Sequence, residues 1–294
     1  MYTQIAANKR RSLLLVAAFL ILVGALDWVL AHVLGQPSAF VPILIVATVY
    51  AGISYFFSAN IALAMSGARE VQKKDAPELY RVVENLAITA GLPTPKVYIV
   101  DDASPNAFAT GRDPKHAVVA VTTGLLERLE KPELEGVIAH EMSHVGNFDI
   151  RFMALVVALV SVISIIADLL LRLSFWGRNS DREEMGNNQI LLILSIVGAI
   201  LAPLVAAIIQ FAVSRQREYL ADSSGALLTR YPEGLARALE KISAANLPIK
   251  HASSATAPLY IANPLKGRSL AGLFDTHPPI EERVRRLREM ETKQ

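Results

Sequence analysis

Apolar residues are distributed along this chain in two ways. Four stretches, 12–34, 39–65, 152–171 and 190–213, are apolar almost throughout. Each reaches the roughly 20 residues that a helix needs to cross the hydrocarbon of a bilayer. Elsewhere the apolar positions become periodic. Across 77–91, Leu79, Val82, Val83, Leu86 and Ala90 recur at helical spacing, with Pro77 at the start and Gly91 at the stop. Residues 96–100 predict a short strand, and 107–110 with 117–122, separated by a Gly-Arg-Asp-Pro turn, predict a hairpin. A helix is expected to begin near Pro132 and to run through Leu134, Val137, Ile138 and Met142 toward Val145. Further helices are predicted over 215–228, 232–245 and 278–290. The fold class expected is α+β with a helical membrane part of about four transmembrane helices.

The flanks of the apolar stretches suggest an arrangement. The second stretch carries no charge; Asp27 in the first and Asp168 in the third lie near one end, where a carboxylate reaches the headgroups. Pro203 in the fourth is tolerable where neighbouring helices re-satisfy the freed carbonyl. A cleaved signal peptide is disfavoured, because the first run is too long and leads straight into a second one. Lys9, Arg10 and Arg11 precede the first stretch and Arg69, Lys73 and Lys74 follow the second, whereas the link between them is uncharged. Basic flanks stay on the cytoplasmic side, so both ends of this hairpin are expected there. The division expected is an N-terminal transmembrane hairpin (1–66), a first segment of one cytoplasmic domain (67–150), a hydrophobic helix pair (151–213) and a second segment of that domain (214–294). Whether 152–171 and 190–213 both cross, or lie against the domain, changes the topology but not the chemistry below.

Composition sharpens this. Of 294 residues, 52% are apolar and 19% charged, with mean hydropathy +0.36, against about 25% charge in average soluble chains. A net charge of +2 is too balanced for a nucleic-acid binder. Cysteine is absent, which removes disulfides, thiol nucleophiles and Cys-ligated metal, so any metal must be held by His, Asp or Glu.

One motif carries chemistry. His140-Glu141-Met142-Ser143-His144 is an H-E-x-x-H run on the helix expected from Pro132, and a chain of this composition yields it by chance roughly 0.007 times. Residues at i and i+4 share a helix face, so the two imidazoles can converge on one Zn²⁺ while Glu141 reaches the same side to take a proton from water. A catalytic zinc needs a third protein ligand and an open position. Glu218 and Asp222, again at i and i+4, suit a third ligand and an acceptor for the free ring N–H of His140. The competing reading is an ordinary charged helix face, with Arg215 and Arg217 pairing these carboxylates in water.

The whole chain resembles the HtpX-type membrane zinc metalloproteases, in the wider group that includes the CaaX prenyl proteases. The residues that carry the resemblance are the H-E-x-x-H helix, the Glu218-x-x-x-Asp222 segment, the interrupting hydrophobic pair, the stretch Asn106-Ala107-Phe108-Ala109-Thr110-Gly111 and Thr276-His277-Pro278-Pro279. The resemblance implies His140, His144 and Glu218 as ligands of one Zn²⁺ per chain and Glu141 as the base. It also implies a multi-pass enzyme of the bacterial inner membrane, its active site on the cytoplasmic side, cleaving damaged, misfolded or unfolded membrane polypeptides in quality control under stress.

Further contacts are open. On family grounds His277 is a candidate transition-state donor, with Arg283 or Arg286 behind it; alternatively His277 caps the last helix and the arginines solvate it. Residues Asn106 to Gly111 are either an edge strand that pairs with substrate backbone or a plain buried strand. His32, His116 and His251 are expected at the surface. Two rival functions remain: a site-specific processing protease of the CaaX type, and a non-catalytic zinc-stabilised membrane scaffold or holdase. A retained Glu141 disfavours the second, since structural zinc is usually closed by a fourth protein ligand.

Overall fold

A computed structural model describes residues 2–33, 38, 40–160, 163, 215–245, 247–250, 252–253, 256–264 and 278–291. The expected fourth apolar stretch, half of the third, and His251 and His277 lie outside these residues.

The chain opens with helix α1 (Tyr2–Val33), followed by α2 (Phe40–Phe56) and α3 (Ser58–Ser66). The second apolar stretch is therefore not one straight span: it bends by 71° between α2 and α3. The reason lies in α3, whose small residues Ser58, Ala62 and Ser66 are buried beside Leu63 against the following domain. Among the described residues no single helix is long and apolar enough to cross a membrane; two bent pairs meet the length and composition needed, α2 with α3 and the site helix with its continuation.

A four-stranded sheet comes next: β1 (Ala68–Glu70), β2 (Lys96–Val100), β3 (Ala107–Thr110) and β4 (Val118–Thr122), in the order β1-β2-β4-β3. β2 and β4 run parallel, while β1 and β3 pair antiparallel on either side. The 107–122 hairpin and the 96–100 strand thus form as expected, and β1 is an addition. Helix α4 (Pro77–Ala90) buries Leu79, Val82, Val83, Leu86 and Ala87, and ends at Gly91 with φ 65°, where the Leu92 N–H bonds back to the Ala87 carbonyl at 2.9 Å. After the short α5 (Thr123–Arg128) comes α6 (Lys131–Gly146), with Pro132 in its first turn. Glu133 closes that turn by accepting the Glu130 N–H at 2.8 Å.

Two residues past α6 the chain turns by 80° into α7 (Asp149–Val160). Later helices are α8 (Arg215–Thr229), α9 (Pro232–Ala245) and α10 (Ile280–Glu291). Helix α6 is central, packed against α4, β3, α8 and α9. Residues on both sides of the apolar insertion, from Val71 to Ile150 and from Ala226 to Leu287, enter one hydrophobic core. Leu15, Phe19 and Val23 of α1 pack separately on Phe152, Leu155, Val156 and Leu159 of α7. Helices and sheet together make the mixed α and β architecture expected.

Candidate metal centre

Helix α6 presents His140 and His144 on one face, one turn apart, and α8 lies across it. The close approach is possible because α8 has Gly225 where it crosses: a Cβ there would sit 2.9 Å from the His140 backbone nitrogen and 3.1 Å from the Ala139 carbonyl carbon. Gly225→Ala should force the helices apart and destabilise the protein by about 1–3 kcal/mol, the usual range for overpacking. Thermal unfolding in detergent checks this, and an unchanged Tm would mean that the two helices have slack.

The crossing brings Glu218 to the histidines. His140 Nε2 and His144 Nε2 are 3.2 Å apart, and each lies 3.7 Å from a Glu218 carboxylate oxygen. Both remaining ring nitrogens face carboxylates: His140 Nδ1 is 2.9 Å from Asp222 Oδ1, and His144 Nδ1 is 3.1 Å from Asp149 Oδ2. Those carboxylates place the ring protons on Nδ1, so in the neutral rings both Nε2 lone pairs point at each other and at a third acceptor. Such a set is stable only around a cation. Tetrahedral zinc at about 2.0–2.1 Å from each nitrogen puts them about 3.3 Å apart, so the spacing fits the metal. One donor atom from each of the three residues lies within 4.8 Å of the other two. A proton can fill part of the same role: burial opposes charging His144, yet the hydrogen bond it donates to Asp149 and the charge of Glu218 push it up to about 9.

Glu218 and Asp222 are buried, 8% and 3% exposed, so the expected alternative of a wet charged face is corrected. Asp222 is gripped from behind by Arg283, whose Nε and second terminal nitrogen reach its two oxygens at 2.8 and 2.6 Å. Burial would raise the Asp222 carboxyl, but Arg283 and His140 outweigh it and hold it well below the usual carboxylate range. Arg283 also donates to the Ile261 carbonyl at 2.9 Å and is fully buried. It neither solvates α10 nor lines the cavity at the site, so the expected contact with the reacting substrate is replaced by support of Asp222. Arg286 instead stacks over the Tyr219 ring, 3.9 Å from its centroid.

Glu141 lines the same cavity as His140, His144 and Glu218. Its Oε1 is buried without a hydrogen-bond partner, while the carboxylate accepts the backbone N–H of Ala109. Burial, chiefly, pushes its carboxyl up to about 7. A dication beside it would pull that value back down.

Strand β3 is an edge strand among the described residues. Thr122 N–H donates to the Asn106 carbonyl at 3.0 Å, so by antiparallel alternation Ala107 and Ala109 turn their backbone groups outward. The Ala107 position is already taken: Ile261 N–H donates to its carbonyl at 2.9 Å, and Tyr260 bridges Phe108. Asn106 does not reach the cavity. Its side-chain amide donates to the Ala262 carbonyl at 2.9 Å and its Oδ1 accepts from Ala107 N–H at 3.1 Å, which makes it the tie between β3 and the 260–262 segment. His116 sits at the surface, paired with Asp113. Asp149 is the site residue that the sequence reading missed; its only signal is its place five residues after His144.

Comparison with known proteins follows the same lines. The family model described as Peptidase family M48 matches residues 73–291. The chain is 50% identical over 290 residues to a "Protease HtpX homolog" of Tropheryma whipplei, covering 99% of this chain and 98% of that one. It is similar at 50% identity to one of Dictyoglomus thermophilum (98% and 94% covered) and at 47% to one of Ligilactobacillus salivarius (99% and 100% covered). In fold it is similar to the crystal structure of S. mikatae Ste24p, with a TM-score of 0.52 and 20% identity over 96% of this chain and 66% of that one.

Proposed function

The chain belongs to peptidase family M48 and is a zinc-dependent metalloprotease, and from that premise we propose that it cleaves misfolded or damaged membrane proteins at the cytoplasmic face of a bacterial inner membrane. The observation that carries the reading is the meeting of His140, His144 and Glu218 around one point, with the unpartnered Oε1 of Glu141 beside it. We take the first three as the zinc ligands. The chemistry that zinc supplies when bound is Lewis acidity, which polarises a peptide carbonyl and acidifies a water. Glu141 accepts the proton of the attacking water and returns it to the leaving nitrogen. Asp222 and Asp149 hold the two imidazoles with their Nε2 atoms turned inward, and Arg283 keeps Asp222 ionised in its buried place. Substrate backbone pairs with the outward carbonyl of Ala109, since Tyr260 and Ile261 cover the edge at 107–108 and Glu141 takes the Ala109 N–H.

Membrane association is supported by large apolar side chains exposed on α1 and α2, among them Leu13 (70%), Ile21 (73%) and Val46 (67%). A patch of this kind marks a lipid or protein contact. Pairing through backbone groups favours unfolded chains of varied sequence over one defined peptide.

The detergent-purified protein should cleave an unfolded membrane polypeptide at several sites, stop with 1,10-phenanthroline and recover with added zinc. Cleavage confined to a short prenylated peptide would favour the CaaX-type reading. Tight binding of the polypeptide without cleavage in the zinc-loaded protein would favour the scaffold or holdase.

A further inference from the structure

Asp149 has two oxygens, and only one faces His144. The other, Oδ1, accepts from the side-chain amide nitrogen of Asn8 at 2.7 Å. That same nitrogen donates to the Asn147 carbonyl at 3.1 Å. Asn8 belongs to α1, far from the H-E-x-x-H run in sequence, and its side chain closes a relay from the first helix to His144.

The elbow it touches needs support. Between α6 and α7 the chain turns by 80°, and Phe148 stands at φ 60°, a left-handed conformation that is unfavourable for a residue with a Cβ. Asn147 and Asp149 on either side are buried, so the carbonyl and the carboxylate there must find donors within the protein. Asn8 supplies both. A neutral amide is the right group, since it satisfies Asp149 without pairing a full charge with it, and so leaves Oδ2 a strong acceptor for the His144 ring.

Helix α1 is seated to deliver this contact. Asn8, Ser12, Leu15, Phe19 and Val23 are all buried and follow one helical stripe. Leu15, Phe19 and Val23 lie on α7, and Asn8 is the polar head of the same stripe, placed at the first turn of α7. A buried amide nitrogen is costly unless it is paired, and that of Asn8 is paired with the elbow.

We infer that Asn8 is a positioning residue of the metal centre, acting on His144 through Asp149, so that the N-terminal helix is part of the active site as well as a membrane element. The inference rests on His144 being a zinc ligand. Loss of an outer partner of a metal-bound histidine typically weakens binding by about 10–100-fold.

The test is a zinc titration of the detergent-solubilised full chain against a chromogenic chelator, for wild type, Asn8→Ala, Asp149→Asn, the double variant and His144→Ala. Asn8→Ala should loosen zinc by roughly tenfold, the lower end of that range because Asn8 acts one bond further out. The double variant should bind no more weakly than Asp149→Asn alone, because coupled residues are not additive. Wild-type affinity in Asn8→Ala, with zinc lost in His144→Ala, would overturn the inference and leave the ligand assignment standing. Additive losses in the double variant would overturn it too, since Asn8 would then act by another route. Wild-type affinity in His144→Ala would instead overturn the ligand assignment itself. Asn8→Ser, which keeps a donor but is too short to span both acceptors, replaces Asn8→Ala if that variant fails to fold, with the same outcomes.

Discussion

Glu141→Gln should lower kcat by about 10³-fold, within the range that general base catalysis supplies, while the protein keeps its zinc and its fold. The substitution is close to isosteric. The amide oxygen can still accept the Ala109 N–H that the carboxylate now accepts, and the amide nitrogen then occupies the position of the unpartnered Oε1. What disappears is the capacity to take a proton. Arg283 keeps its ion pair with Asp222, and Asp222 its contact with His140, so the support behind His140 remains. Zinc content by elemental analysis beside initial rates on an unfolded polypeptide reads both quantities, and a zinc-loaded variant that still cleaves at the wild-type rate would remove Glu141 from the role of base.

Glu218→Ala should behave differently, losing metal and activity together. Two neutral imidazoles on one helix cannot complete a catalytic zinc site, which needs a third protein ligand. The loss should exceed the roughly 10–100-fold that removing an outer partner costs. The buried surroundings add to it: Arg283 stands 3.7 Å from the Glu218 carboxylate, and its charge is left beside the metal without that anion between them. The contrast between the two glutamates is diagnostic, since both are buried acids at the same cavity and one should be dispensable for zinc while the other is not.

The sequence carried the centre of this site plainly and its supports poorly. His140, Glu141 and His144 were legible because a helix start at Pro132 and the apolar positions through Val145 place a four-residue spacing on one face. Glu218 was ambiguous, because Arg215, Arg217, Glu218 and Asp222 have the composition of a solvated helix, and only the crossing at Gly225 buries the last three while Arg215 stays exposed. Arg283 was misjudged for the same reason: it is interleaved with Glu281, Glu282 and Glu289, and α10 turns that one arginine inward to Asp222. Asp149 and Asn8 lie beyond any local period. They meet at an elbow where Gly146 ends α6, but the residue that takes φ 60° is a phenylalanine, a type that does not announce a left-handed position. The bend between α2 and α3 was equally silent, since an unbroken apolar run does not say where small residues will be drawn into the neighbouring domain. The sheet was better signalled, β2, β3 and β4 being short apolar runs with a Gly-Arg-Asp-Pro turn between the last two, although the cover that Tyr260 and Ile261 place on β3 comes from a segment far along the chain.

Zinc K-edge absorption spectroscopy of the wild-type protein and Glu218→Ala, prepared in detergent at matched zinc, measures the ligand set itself. Wild type should show two imidazoles and oxygen donors, all near the roughly 2.0–2.2 Å expected for zinc with nitrogen and carboxylate ligands. The variant should hold substoichiometric zinc whose remaining shell has lost the carboxylate. An identical shell at full occupancy in both would mean that the metal is bound without Glu218, and that the two separated segments of chain do not share it.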